Sequence, residues 1–286
     1  MIQEKKTGDT KAFDTNWKNR SESSYTHWTR NKVKNQIQLA FRRHWILFQE
    51  IMQNEKDYKN GKKVLEVGCG RGSLSCYFSD ADYDCTLLDL SESVINIAKR
   101  IFESNSLKAK FMVGDANKLE IPDNSFDVVF SIGLLEHFED IENVLSEQIR
   151  VLNTGGIWFG YIVPEYIDNI QKEYQWFNEV LEGYQKQNNQ DISHKETIYR
   201  SDFNSTRYIP FLEKLGLKNI QTSGVYSIPM ISHSIDFPFS LMPEQSEAAF
   251  VEHFEQDLQW KETTTGKNPW LCKEGHGNAF LVWGTK

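Results

Sequence analysis

From Val33 onward the chain alternates between two hydrophobic rhythms. Val33, Ile37, Phe41, Trp45, Phe48 and Met52 recur at three- and four-residue steps, which places them on one face of an amphipathic helix. Short apolar runs and helical periods then take turns. The pattern predicts strands over Lys63 to Val67, Cys85 to Leu88, Lys110 to Val113, Phe126 to Ser131 and, after the turn Asn153-Thr-Gly-Gly, Ile157 to Val163. Between them it predicts helices from about Ser73, from Ser91 to Phe102 and from about Ile141 to Leu152. Such alternation implies a parallel sheet with helices on both faces. A helix over Thr206 to Leu215 and strands over Asn219 to Tyr226 and Asn278 to Gly284 bring the expected α/β sheet to seven mostly parallel strands.

Two stretches interrupt the series. Ile167, Ile170, Tyr174, Phe177, Leu181 and Tyr184 keep helical spacing, so their apolar face must cover something. The second stretch carries Phe237, Phe239, a helix opened by Pro243, and Trp260 and Trp270. The expected organisation is an N-terminal arm, mobile over Met1 to about Arg20, and a helical cap over 1–60, with a core over 61–164. A helical lid over 165–200, core again over 201–227, a second insertion over 228–276 and a last strand over 277–286 complete it. The aromatic insertions, including Trp176, Trp260 and Trp270, suggest a covered pocket for an organic molecule, or else a satellite core or homodimer interface.

Composition narrows the partners. The chain has 286 residues, 39% hydrophobic and 25% charged, as expected of a folded globular protein. Its 32 Lys and Arg against 40 Asp and Glu give a net charge of -8, and no dense basic run is present to neutralise successive phosphates. Nucleic acid is therefore not expected as substrate. Cys69, Cys76, Cys85 and Cys272 show neither a Cys-x-x-Cys pair nor metal-ligand spacing, and no apolar run suggests a signal peptide or a membrane span. Reduced thiols, no metal and a cytoplasmic location follow as expectations.

The chemistry gathers where strands end. Lys63-Val-Leu-Glu-Val-Gly-Cys-Gly-Arg-Gly runs a strand into three glycines spaced two apart, which lets a ligand approach bare backbone amides at a helix start. The dinucleotide fingerprint would need a glycine at Ser73. In an open parallel sheet the ligand lies outside the carboxyl ends of the strands, and Asp89, Asp115 and the Ser131 to His137 segment all fall there. Asp89 suits a ribose diol, or caps the helix near Ser91; Asp115 suits an adenine amino group, or closes an Asx-turn. Glu66 binds either loop amides or a ligand ammonium.

Glu66 to Gly72, Gly114-Asp-Ala, Ile121-Pro-Asp-Asn-Ser-Phe-Asp-Val-Val, Leu135-Glu-His-Phe-Glu-Asp and Val151-Leu-Asn-Thr-Gly-Gly occur in this order. Over roughly residues 61 to 163 the chain resembles the class I, Rossmann-like S-adenosylmethionine (SAM) dependent methyltransferases, in particular the small-molecule enzymes of quinone biosynthesis. The resemblance implies Gly68 and Gly70 at the methionyl part of SAM, Asp89 with Leu90 at the ribose, Asp115 with Ala116 at the adenine, and a main-chain contact from Ser131. Tyr25 or Arg30 would reach the methionyl carboxylate by analogy with a closing N-terminal helix. His27, Trp28, Tyr174 and His233 are candidates for contacting the acceptor.

The expected reaction moves the SAM methyl to an O or N atom of a small organic acceptor, leaving S-adenosylhomocysteine. A hydroxyl acceptor benefits from a base, and His137 is the candidate, with loop orientation as its other role. His194, His233 and His276 lie in or beside the interrupting stretches. A protein methyltransferase, a catalytically silent SAM-binding protein and, less favoured, a nicotinamide dehydrogenase are the competing readings.

Overall fold

The computed structural model describes residues 27–165, 169–187, 199–231 and 242–286. Tyr25, Ile167, His194, His233, Phe237, Phe239 and the predicted arm lie outside the described residues, as does the side chain of Tyr184. Helix α1 (Gln36–Asn54) leads into β1 (Lys63–Val67), α2 (Ser73–Asp80), β2 (Asp84–Asp89), α3 (Glu92–Ser104) and β3 (Ala109–Val113). Then come β4 (Phe126–Ile132), α4 (Glu142–Val151) and β5 (Leu152–Ile162), a 3-10 segment Ile170–Tyr174, and α5 (Gln175–Gln187). The chain closes with α6 (Ser205–Lys214), β6 (Lys218–Val225), α7 (Glu244–Thr265), β7 (Leu271–Cys272) and β8 (Ala279–Thr285).

The strands form one sheet in the order β3-β2-β1-β4-β5-β8-β6-β7. Strands β1 to β5 run parallel, while β8 lies antiparallel between β5 and β6. The sheet thus has eight strands where seven were expected. The extra one, β7, pairs only two residues with Gly224 and Val225, too few to carry a period-two signal in sequence. The Asn153–Gly156 turn is likewise drawn into β5, which pairs Leu152 with Phe126 before the register shifts to Val128 and Ile157.

Each face of the sheet buries one cluster of side chains. On the first, α1 and α2 stack Phe48 on Phe159 and Phe78 on Phe130, with ring centroids 4.1 and 5.3 Å apart. On the second, Trp158 is fully buried and donates its indole N–H to Gln148 Oε1 of α4 at 2.8 Å. Local chemistry sets the helix starts: Asn35 accepts from Gln38 N at α1, and Ser91 accepts from Val94 N at α3. Strand order turns back where β1 separates β2 from β4, so the crevice of the sheet opens above β1.

The two interruptions pack less uniformly than their aromatic content suggested. Trp176 and Trp260 are 61% and 64% exposed, whereas Trp270 is completely buried. A helix immersed on one face only leaves such side chains outside, and periodicity alone does not reveal which face wins. Among the described residues no helix is long and apolar enough to cross a membrane.

Candidate functional site

Above β1 the backbone of the glycine loop is set by conformation. Gly68, Gly70 and Gly72 have φ of 69, 52 and 67°, in the left-handed region. At Gly68 a Cβ would also lie 2.8 Å from Leu134 Cδ1, so this glycine lets the segment after β4 close onto the loop after β1. Gly68 N and Cys69 N both donate to Leu88 O, at 2.8 and 2.9 Å. The loop is thereby sewn to the end of β2.

Asp89 completes the stitch. Its Oδ2 accepts from Gly70 N at 3.0 Å and its Oδ1 from Ser91 N at 3.1 Å. Ser91 caps α3, so Asp89 is not the helix cap. A carboxylate has about four acceptor positions, which leaves capacity for a diol beside these two amides. Burial pushes the Asp89 carboxyl up, opposed by the backbone N–H groups of Ser91, Gly70 and Leu90. Next to it Leu90 is half exposed, as is Val113 at the end of β3. Asp115 forms the Asx-turn, its Oδ1 accepting from Asn117 N and Nδ2 at 2.8 and 3.0 Å, while Ala116 is buried.

Glu66 serves the loop from beneath. It is 3% exposed and accepts from Ser75 Oγ in the first turn of α2 at 2.5 Å. Burial raises its carboxyl from 4.5 to about 8 against the Ser75 bonds. Ser131 ends β4 completely buried, and its Oγ has no hydrogen-bond partner among the described residues.

The cluster before α1 lies elsewhere. Arg30 Nε donates to Asp80 Oδ1 at 2.7 Å and Nη1 to Asn105 O at 3.2 Å, at the carboxyl ends of α2 and α3. These ends lie a helix length, about 12 Å for α2, from the glycine loop. Helix carboxyl ends attract a cation, which corrects the expectation that Arg30 reaches the methionyl end of a cofactor. Trp28 goes with it, buried with its ring edge-on to Tyr77 and the Arg30 guanidinium 5.1 Å above it. His27 is buried and stacks on Phe41 of α1. His27 and Trp28, expected to contact the acceptor, are thus packed among Phe41, Tyr77 and Arg30.

Beyond β4 and β5 a different environment begins. His137 is buried, and its Nδ1–H donates to Tyr199 O at 2.7 Å. Burial lowers its pKa from 6.5 to about 4, against the hydrogen bonds to Tyr199 and to the Gly133 backbone. The Tyr199 bond fixes the orientation of the ring and its tautomer. Glu136, beside it, is 1% exposed, and burial raises its carboxyl to about 7 while Arg200 pulls the other way. Nearby, His44, Tyr161, Tyr226 and Trp270 share one aromatic box, with the His44 ring 4.5 Å from Tyr161 and 5.5 Å from Trp270. Trp270 donates its indole N–H to His44 Nδ1 at 2.9 Å, and Tyr226 stacks on Trp270 at 4.6 Å. Burial holds His44 neutral, its pKa lowered to about 3. Tyr174 is half-buried against the same core cluster.

Comparison with known proteins settles the kind of domain. Residues 65–159 match the family model described as a methyltransferase domain. The chain carries a class I SAM-dependent methyltransferase domain. A sterol 24-C-methyltransferase of Aspergillus fumigatus is 34% identical over 131 residues, covering 43% of this chain and 34% of the relative. An ajmaline N-methyltransferase of Rauvolfia serpentina is 36% identical over 100 residues, 34% of either chain. The chain thus spans about a third of the length of these curated relatives. The crystal structure of the [4+2]-cyclase SpnF shares the fold, with a TM-score of 0.51 and 18% identity over 97% of this chain and 92% of that one.

Within the methyltransferase domain the structure brings together Gly68, Gly70, Asp89 and Asp115, predicted from their strand ends, and Leu90 and Ala116, implied by the resemblance. The box that includes His44 and Tyr226 was not predicted. His44 had a weak signal, being a polar residue on the apolar face of α1, three residues after Phe41 and four before Phe48. Tyr226 had none, although its φ of 63° marks it afterwards as a non-glycine residue in a costly conformation.

Proposed function

We propose that the chain transfers the methyl group of SAM to an O or N atom of a small organic acceptor, releasing S-adenosylhomocysteine. The observation that carries the reading is the stitch above β1: left-handed Gly68 and Gly70, with Gly70 N held by Asp89 beside the point where strand order reverses. The residues present fit SAM. Asp89 retains acceptor capacity for a ribose diol, half-exposed Leu90 and Val113 offer apolar surface to an adenine, and Asp115 and Ala116 border it. Ser131 supports the methionyl end through its main chain. Glu66 acts through Ser75, fixing the loop.

SAM supplies a methyl already activated by sulfonium charge. What remains for the chain is to hold the acceptor in line at about 3 Å and exclude water. Beyond the strand ends Tyr161, Tyr226, Trp270 and His44 pack into a buried, largely apolar box, an environment that suits an organic acceptor beside it. That one relative is named for a carbon and the other for a nitrogen acceptor fits a matched region that governs the donor more than the acceptor atom.

The test is incubation with methyl-labelled SAM and fractionated small-molecule extract, followed by chromatography. Label in a small molecule is expected; label only in protein would favour a protein methyltransferase. A second reading, a SAM-binding protein without methyl transfer, is favoured by one observation: the fold shared over 97% of the chain is also that of a protein titled a cyclase. Tight SAM binding with no label moved to any fraction would support it.

A further inference from the structure

We propose that Glu136 is the proton acceptor of the reaction, its carboxylate taking the proton from the acceptor's O–H or N–H as that atom bonds to the methyl carbon. The inference rests on the methyl-transfer reading above. Glu136 lies in the 3-10 turn Leu135–His137, directly after β4 and therefore at the carboxyl end of the sheet next to the switch point. A methyl held above β1 would have this turn beside it, on the side from which an acceptor can approach.

The turn is held from several directions. His137 N donates to Leu134 O at 3.1 Å, Ser201 N donates to Glu136 O at 2.7 Å, and the His137 ring is fixed on Tyr199 O. The side chain, by contrast, is half satisfied. Backbone N–H groups of Val163 and of Glu136 itself bond the carboxylate, but Oε2 has no partner among the described residues although the residue is 1% exposed. An unsatisfied buried acceptor is costly, and a charged one more so. A glutamate used only to tie Val163 to the turn would not need that second oxygen. One that meets a hydroxyl or an amine does.

The groups facing it set its strength. Arg200 faces it from the segment before α6, Tyr161 from β5, and neutral His137 adjoins it in the turn. Burial outweighs the Arg200 guanidinium and leaves the carboxyl at about 7, close to where a general base works best at neutral pH. The step balances. The acceptor's heteroatom forms a bond to the methyl carbon as the carbon–sulfur bond breaks, the electron pair returns to sulfur and neutralises the sulfonium, and the heteroatom's proton passes to Glu136 Oε2. Solvent takes that proton when product leaves.

Glu136→Gln and Glu136→Asp test this, with methyl-labelled SAM and unfractionated small-molecule extract as the acceptor source. For wild type the rate of label transfer should fall as pH drops below about 7. E136Q should lose roughly 100-fold or more in rate, a loss typical of a missing general base, and lack the acid limb in what remains. Its SAM affinity by calorimetry and its Tm should stay near wild type, and E136D should recover part of the rate. E136Q at the wild-type rate, or with the acid limb intact, overturns the proposal alone. Parallel losses of rate, SAM affinity and Tm also overturn it, showing a structural glutamate. Wild type that binds SAM but transfers no label overturns the methyl-transfer reading, and this proposal with it.

Discussion

The proposed donor end and the proposed acceptor end of the crevice are built by opposite means. Above β1 and β2, backbone does the work: left-handed glycines, amides donating to Leu88 O, and one carboxylate, Asp89, bridging two loops. Beyond β4 and β5, side chains do it, with His44 from α1, Tyr161 from β5, Tyr226 after β6 and Trp270 before β7 closing one box across 226 residues. A backbone site is rigid and tolerates one ligand shape. A packed side-chain site couples whatever binds there to the stability of the whole domain.

The largest effect should come from breaking the acceptor end. Trp270→Ala removes a completely buried indole, its hydrogen bond to His44 and its stack on Tyr226, and should cost about 3–5 kcal/mol of stability. Urea titration followed by fluorescence checks this. SAM affinity of the folded fraction should change little, because none of the donor-end contacts involves Trp270. A destabilisation under about 1 kcal/mol would mean that the box is loosely packed.

Gly68→Ala should do the reverse, weakening SAM more than it weakens the fold. A left-handed φ costs an alanine roughly 1–2 kcal/mol, and its Cβ would press on Leu134 Cδ1 at 2.8 Å. The loop can relieve both by moving, and the amides that it presents then move with it. Calorimetry should show SAM binding about tenfold to a hundredfold weaker. Unchanged affinity would break the contrast, since it would show that the loop geometry is dispensable.

The same contrast explains what could be read from sequence. Gly68 to Gly72, Asp89 and Asp115 are local signals: each residue type sits at a strand end, and its spacing in the chain is its spacing in the site. The parallel sheet was legible for the same reason, because period two and period 3.6 are local properties. Arg30 was misplaced because sequence shows that it precedes α1 but not which end of α2 it reaches. His137 drew attention as a histidine, yet its environment, the Tyr199 carbonyl and its own burial, comes from residues more than sixty positions away. Strand β7 and the His44 box needed tertiary packing to exist at all.

Protons give the smallest test, and they act with opposite sign at the two ends. At the acceptor end His44 falls from 6.5 in the unfolded chain to about 3, so the unfolded state binds the extra proton and stability is lost as pH drops below 6.5. His137, lowered to about 4, acts in the same direction. At the donor end Glu66 rises from 4.5 to about 8, so the folded state holds the proton; its contribution is present below 4.5 and is lost as pH rises through 8. Glu66→Gln keeps an oxygen for the Ser75 hydroxyl and removes the need to ionise. It should therefore gain stability relative to wild type at pH 8 and much less at pH 5. Paired thermal melts at the two pH values check the difference. An equal shift at both would place Glu66 in contact with water, and its bond to α2 would then no longer be what holds the glycine loop from below.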